Sequence, residues 1–512
     1  MSPPIYPEHG FITSKIGGDQ DAMGRVVLII PQQDDGFRLT GVKEYLGVCY
    51  LAGALRAAGH ETDIIHAELE DTSAEEAALL VLKYDPTLVG ITVSIASLGY
   101  VKRVLDSISA TGSRVHITVG GHLATFAADQ FLALYPRIDS VCRGEGEHTL
   151  VHLTDALERS CAWHDLPGIS CRTAEKTFHN SQHPAVNLDT LPWPVRDTLG
   201  KVLSRGGAAA AVTSRGCPRR CGYCSVNPFY QESGAVWRAR SPEDVARELC
   251  FLKKQFQTSF VIFNDDNFFG PDAAARDRVH RLAKSFHSAG VSVAFTISIR
   301  PEHATAELLI PLRDIGLRTV FLGLESGSRT GLRNLGRTGS ERISRQAIKT
   351  LERLLIGYQI GFIMYHPMAT LEEIRIDLTF LRSLIDDTHC LIDSYPFDRD
   401  YHVLPGTVMA AELQDRKMLY GDPLTPSFRE YDKRTRILRN FSRKFIDPVF
   451  RPQFKETTTV LATDEGRRRL RSLHLAHCDL LEQVASMIAA DVSSQKLEHF
   501  GSEIAAKNAP CS

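Results

Sequence analysis

Short apolar runs alternate with amphipathic stretches twice along this chain, and that alternation limits the fold more than any other feature. In the first stretch, from about Arg25 to Arg159, the runs are Val26–Ile30, Thr62–Ile65, Leu88–Val93, Val115–Val119 and Ser140–Cys142. Helical spacing lies between them, over Gly47–Ala58, Ser73–Lys83, Leu98–Ser109 and Ala127–Leu134. Strands alternating with helices predict a parallel sheet covered on both faces. Residues 25–160 are therefore expected to form a doubly wound, Rossmann-like α/β domain behind an N-terminal arm, 1–24. Prolines 167, 184, 192 and 194 then interrupt any period, which predicts a connector over 161–207.

Alternation resumes at Ala208. Apolar runs at Ala208–Thr213, Phe260–Phe263, Val291–Ile299, Thr319–Leu324, Ile360–Met364 and Cys390–Tyr395 are separated by helical segments such as Pro242–Gln255 and Ala273–Ala289. Six such units fit a partial (β/α)6 TIM-type barrel over 208–425, with its chemistry at the C-terminal ends of the strands. Residues 426–512 turn basic and helical, over Lys433–Lys444 and Gly466–His474, and predict a C-terminal helical region.

A chain of 512 residues has room for two or three such bodies. Its formal net charge of −2 gives no polycationic surface, so nucleic acid is not expected as a partner. Met1–Lys15 has no apolar core of the kind a signal peptide needs, and no stretch approaches the roughly 18 apolar residues of a membrane span. A soluble, cytoplasmic protein is the expectation, and in a reducing compartment the eleven cysteines are not there for disulfides. Eight are scattered (49, 142, 161, 171, 250, 390, 478 and 511) and read as small buried hydrophobes or inert thiols.

The other three are clustered in Thr213-Ser-Arg-Gly-Cys-Pro-Arg-Arg-Cys-Gly-Tyr-Cys224, directly after the first barrel strand. Cys217, Cys221 and Cys224 can wrap three corners of a cubane and leave its fourth iron open to another ligand. The plainer alternative is zinc, which normally takes four protein ligands in paired short spacings; no second pair follows here.

Cys-x3-Cys-x2-Cys with an aromatic before the last cysteine resembles the signature of the radical S-adenosylmethionine (SAM) family. The resemblance implies a [4Fe–4S] cluster whose free iron is chelated by SAM, an external flavodoxin- or ferredoxin-like electron donor, and a 5′-deoxyadenosyl radical that removes a substrate hydrogen. It further implies that Tyr223, Asp265, Asp266, Arg300, Glu325 and Ser326 contact SAM, from the aromatic position and from the ends of the second, third and fourth strands. Each has a structural alternative: Asp265 or Asp266 as a turn cap, Arg300 as a surface charge. In the fifth-strand segment Gly361-Phe-Ile-Met-Tyr-His-Pro367, bulky Tyr365 and His366 stand where the family commonly has a small residue; His366 reads as a packed side chain, with an acid–base role as the alternative.

In the first domain, Leu46-Gly-Val-Cys-Tyr-Leu-Ala52, Val119-Gly-Gly-His122 and Gly144-Glu-Gly-Glu147 resemble the cobalamin-binding domain of B12-dependent radical SAM enzymes. That resemblance implies cobalamin contacts at Ser94, Gly120, Gly121, His122, Gly144, Glu145 and Gly146. Asp63-Ile-Ile-His66 lacks the Asp-x-His-x-x-Gly spacing that places a histidine under cobalt. The lower position is then expected to be empty, held by water, or faced by a side chain of the 31–46 loop.

Three functions follow from these readings. The first is a cobalamin-dependent radical SAM methyltransferase, class B in type, which puts a methyl group from methylcobalamin on an unactivated carbon of a small molecule. The second keeps the cofactors but performs a rearrangement, ring contraction or ring closure in which cobalamin is not the methyl donor. The third is a non-catalytic corrinoid or metal regulator with zinc on the three cysteines.

Overall fold

The computed structural model describes residues 23–34, 44–173, 176–387, 397, 401–458 and 464–507. In β1 (Arg25–Ile30), the five residues Val26 to Ile30 are each at most 2% exposed. A strand with no polar face must be covered on both sides, since each such side chain contributes roughly 1.5–3 kcal/mol only when withdrawn from water. It therefore lies inside the sheet, between β2 (Glu61–His66) and β3 (Leu88–Thr92), followed by β4 (His116–Gly120) and β5 (Ser140–Cys142), all parallel. Helices Ala74–Tyr84, Leu98–Ala110 and Ala128–Leu134 cover one face, and Leu46–Ala57 and Glu147–Glu158 the other. The order β2-β1-β3-β4-β5 reverses direction at β1, which opens a crevice above the C-terminal strand ends.

The stretch read as a connector is partly ordered into this sheet. β6 (Ile169–Arg172) and β7 (Thr177–His179) extend it antiparallel beyond β5. Strands of four and three residues carry too little period to stand out in a sequence, and the prolines around them dominate the local signal.

The second body is an all-parallel sheet in the order β14-β13-β12-β11-β8, built from β8 (Ala209–Ala211), β11 (Phe260–Phe263), β12 (Ala294–Ile299), β13 (Leu317–Glu325) and β14 (Gly357–Phe362). A small antiparallel pair, β9 (Ser214–Gly216) with β10 (Trp237–Ala239), sits beside it. The sixth expected strand, Cys390–Tyr395, lies outside the described residues. The intervening helices start at local signals. Ser241 Oγ accepts from the Asp244 N–H at 3.3 Å, and Pro242 occupies the first helical position, where its missing N–H costs nothing.

The C-terminal helices share the barrel's core. The helix expected over Gly466–His474 runs from Asp464 to Ala489, because Cys478, Leu481, Ala485 and Ile488 form a stripe at helical spacing that packs with Leu378, Leu381 and Leu384 of the barrel helix Leu371–Asp387. Among the described residues every cysteine is free, and no helix is long and apolar enough to cross a membrane. Cys49, Cys142, Cys171 and Cys478 are buried, as small hydrophobes would be; Cys161 is exposed. Cys390 and Cys511 lie outside the described residues.

Buried charge joins the two domains. Arg196 donates to Glu44 of the first domain and, at 2.6 Å, to Glu248 of the barrel, while Arg240 joins Glu248 and Asp244. All five side chains are almost fully enclosed, so each charge depends on its partners.

Candidate active site between the two domains

The cysteine loop starts where β9 must turn sharply. Gly216 has φ +88°, and a Cβ there would sit 2.1 Å from the Val236 carbonyl oxygen, so only glycine fits. The loop is then held from several sides. Gly222 N–H donates to Leu335 O at 2.9 Å, Met409 N–H donates to Gly222 O at 2.9 Å, and Asn227 Nδ2 donates to Cys217 O at 2.9 Å. Two donors reach the sulfurs themselves: Asn267 Nδ2 lies 3.5 Å from Cys217 Sγ and Arg300 Nη1 lies 3.6 Å from Cys221 Sγ. Burial pushes the Cys217 thiol up and the Cys224 thiol to about 12, so these groups ionise only when a cationic centre draws off the proton.

Among the described residues no group of three or more His, Cys, Asp or Glu, these thiols included, converges where a single metal ion would sit. A cubane takes each thiolate at a different iron, so thiols spread along one loop and met by N–H donors fit a cluster better than one zinc ion.

Around the loop, the residues expected to contact SAM divide into two groups. Arg300, Glu325 and Asp266 stand at or just past strand ends, and Tyr223 lies in the cysteine loop itself. Arg300 Nη2 bonds Glu302 and Thr338 Oγ1, both at 3.2 Å, yet its buried Nε has no partner, which suits a carboxylate ligand. Glu325 takes the left-handed conformation at φ +67° and accepts from Arg337 Nη1 at 3.1 Å; the same nitrogen lies 3.3 Å from the Tyr223 hydroxyl. Asp266 accepts from the Gly216 N–H at 2.9 Å, and burial raises its carboxyl to about 6.

Asp265 and Ser326 are differently placed. The Asp265 carboxylate is 4% exposed and accepts from Thr213 N–H at 2.7 Å, from Ser214 Oγ at 2.9 Å and from Thr213 Oγ1. It ties the end of β11 to the end of β8. Ser326 is fully buried; its hydroxyl donates to Asp377 at 2.9 Å and accepts from Ser328 N–H at 3.0 Å. Both shape the site from behind. His366 is 2% exposed and packed, with Nε2 4.0 Å from Glu373.

The seven residues expected to meet cobalamin come together. Ser94, Gly120, Gly121, His122, Gly144, Glu145 and Gly146 all line one cavity of about 740 Å3 in the crevice above β1, β3, β4 and β5. The opposite wall comes from the barrel, through Val212, Ser214, Ser225, Phe229, Tyr230 and Asp266. Gly121, at φ +102°, lets the chain turn out of β4 against the Val93 carbonyl, where a Cβ would come within 3.2 Å. Leu28, Leu46, Val48, Leu51, Ile91 and Leu123 make the lining mostly apolar, as a flat macrocycle needs.

Within this wall Glu145 is a clamp. Its carboxylate takes Arg215 at 2.6 Å and Arg238 at 2.5 Å, while Glu147 takes the other Arg215 nitrogen at 2.7 Å. His122 stacks on Phe229 with centroids 4.0 Å apart and places Nδ1 3.1 Å from Ser225 Oγ, one residue past Cys224. Burial holds its ring neutral, with the pKa lowered to about 4. His66 is used locally: its Nδ1 accepts from the Leu69 N–H at 3.1 Å. The expected 31–46 loop lies largely outside the described residues. Sequence reading missed Arg215 and Asn267, which stand within or beside the motif residues but act on partners distant in the chain, and Arg337 and Asp377, which no motif marks.

Residues 38–154 match the model of the B12 binding domain, and residues 211–381 match that of the radical SAM superfamily. An uncharacterised methyltransferase of Pyrococcus horikoshii is 28% identical over 78% of this chain and 87% of its own length. A 4′-phospho-dehydrooxetanocin synthase of Priestia megaterium is 26% identical over 59% of this chain and 43% of its own. The fold is that of the cobalamin-dependent SAM radical enzyme OxsB, solved with aqua-cobalamin and SAM bound, at a TM-score of 0.76 and 20% identity over 90% of this chain and 72% of that one. The chain belongs to the radical SAM superfamily, in the group that carries a B12-binding domain ahead of the barrel, and its cofactors are a [4Fe–4S] cluster, SAM and cobalamin.

Proposed function

We propose that this protein is a methyltransferase that acts on an unactivated carbon of a small molecule. The observation that carries the reading is the single cavity onto which the strand ends of both domains open, with the cobalamin-side glycine turns on one wall and the root of the cysteine loop on the other. In this reading Cys217, Cys221 and Cys224 hold the cluster, and Tyr223, Asp266, Arg300 and Glu325 bind SAM. Asp265 and Ser326 fix the strand ends that present them. Ser94, Gly120, Gly121, His122, Gly144 and Gly146 cradle cobalamin, with Glu145 locking that wall to the barrel.

When bound, the cofactors supply hydrogen abstraction and a methyl group, so the chain needs no nucleophile of its own. Its residues orient and enclose. Arg300 directs a carboxylate toward Cys221, Arg337 holds Glu325 and Tyr223 in place, and the apolar lining keeps water from reactive carbon. An external one-electron donor and a cytoplasmic setting belong to the same reading; the free cysteines suit a reducing compartment.

A second reading, ring contraction or ring formation without methyl transfer, has support in the relative named as a synthase. Anaerobic incubation of the reconstituted protein with SAM, cobalamin and a strong reductant separates the two without knowledge of the substrate. Methyl transfer predicts S-adenosylhomocysteine alongside 5′-deoxyadenosine by mass spectrometry. Formation of 5′-deoxyadenosine with no S-adenosylhomocysteine would rule methyl transfer out.

A further inference from the structure

The turn that leaves β13 is strained, and its own residues do not account for the strain. β13 slips register against β14 between Gly323 and Glu325, and Glu325 then takes φ +67°, a left-handed conformation that glycine adopts far more readily. A side chain held there persists only where its surroundings over-determine it, and such positions gather at functional sites. The carboxylate folds back over the strand: a Cβ on Gly323 would lie 2.7 Å from Glu325 Oε1, which accepts from Arg337 Nη1 at 3.1 Å. The other oxygen, Oε2, accepts no hydrogen bond among the described residues.

The barrel helix Leu371–Asp387 supplies the restraint. One oxygen of Asp377 accepts from the Gly327 N–H at 2.7 Å, from Ser326 Oγ at 2.9 Å and from the Ser328 N–H at 3.1 Å. Three residues further along the same helix, Phe380 closes the turn from its other side: a Cβ on Gly327 would lie 2.5 Å from the Phe380 Cβ and Cγ. Just past β14, the Ile363 N–H donates to Glu325 O at 2.8 Å. Asp377 is 3% exposed and has no ion pair among the described residues. A buried carboxylate without a cation is costly, and all three of its donors among those residues come from the single turn that follows Glu325.

We propose that Asp377 is a positioning residue for SAM: by pinning residues 326–328 it keeps Glu325 in its left-handed conformation, with Oε2 open to a donor on the cofactor. The inference rests on Glu325 meeting SAM. Asp377 acts through the turn and not on the cofactor, so its removal should be felt only where Glu325 is felt.

The test uses full-length protein reconstituted with its cluster and left oxidised, so that SAM is bound and not consumed. Radiolabelled SAM is titrated at pH 8 by equilibrium dialysis, with iron content measured on each sample. D377A should weaken SAM binding about tenfold, and D377N, whose amide oxygen can accept from the same N–H groups, no more than about threefold, both with unchanged iron. E325Q should also weaken it about tenfold, and D377A/E325Q no more than about twofold beyond E325Q alone, whereas a general structural defect would multiply the two losses. G327A, whose Cβ meets Phe380, displaces the same turn from the other side and should reproduce the loss of D377A. Should D377A fail to hold iron, G327A takes its place in the cycle with E325Q. Undiminished affinity in the turn variant while E325Q is weakened, or full multiplication of losses in the double variant, overturns the proposal. Undiminished affinity in E325Q instead overturns the assignment of Glu325 to SAM beneath it.

Discussion

Replacing Arg196 by methionine should cost more than any surface change, because this one side chain holds two buried carboxylates on different domains. Its Nη1 donates to Glu44 and to Ala210 O at 2.9 Å, and its Nη2 donates to Glu248 at 2.6 Å; none of the three side chains is more than 1% exposed. Methionine fills similar space but leaves Glu44 with no countercharge. Removing one partner of a buried pair costs about 3–5 kcal/mol. At about 2 °C per kcal/mol for a large domain, the unfolding midpoint should drop by about 6–10 °C at pH 8.

The pH dependence has a definite sign. Burial already raises the Glu44 pKa, and one of its oxygens, Oε1, lacks a hydrogen-bond partner. Loss of Arg196 raises that pKa further, so the folded variant binds a proton that the unfolded chain releases above its ordinary carboxyl pKa. Stability of R196M should therefore rise as pH is lowered from 8 toward 5.5, and E44Q in the same chain should restore at least half of the loss at pH 8. Circular dichroism melts of the two variants at both pH values measure this. A midpoint within 1 °C of the parent at pH 8, or no recovery in R196M/E44Q, would refute the electrostatic argument.

Changing Cys217, Cys221 and Cys224 together to alanine should abolish bound iron and the cluster's visible absorbance, with the far-ultraviolet dichroism retained; iron and sulfide assays check it. A Cβ on Gly47 meets nothing within 4 Å and this residue lines the cavity, so Gly47→Phe should lower cobalamin retention at least tenfold, measured by corrinoid absorbance after desalting, and leave iron content unchanged. Asp377, raised to about 7 by burial despite accepting from Ser326 Oγ and the Gly327 and Ser328 N–H groups, is protonated in the fold below that pH. Its contribution to stability is lost as pH rises from the ordinary carboxyl range to about 7, so D377N should flatten the decline in melting midpoint between about pH 4.5 and 7; an unchanged slope would count against this.

Much of the architecture is written locally. Five adjacent apolar residues in β1 leave no option but a strand buried on both faces, and the repetition of that pattern with helices between predicts the doubly wound domain and the parallel barrel sheet. The three cysteines are equally local, since a cluster loop needs its thiols within a few residues of each other. The glycine turns after β4 and β5 are legible for the same reason: close approach leaves room only for hydrogen.

Tertiary structure decided which polar residues face the cavity and which brace it. Asp265 and Asp266 are neighbours with the same side chain, yet one ties β11 to β8 and the other meets the crevice. Glu145 stands in a glycine-rich turn but serves Arg215 and Arg238 across the domain boundary. The edge strands β6 and β7, the Arg337 bridge between Glu325 and Tyr223, and the Arg196 network likewise join residues far apart in the chain. Periodicity and spacing record what a segment must do with its own neighbours; the partner of a buried charge is fixed only when two distant segments are brought together, and one sequence carries no mark of that pairing.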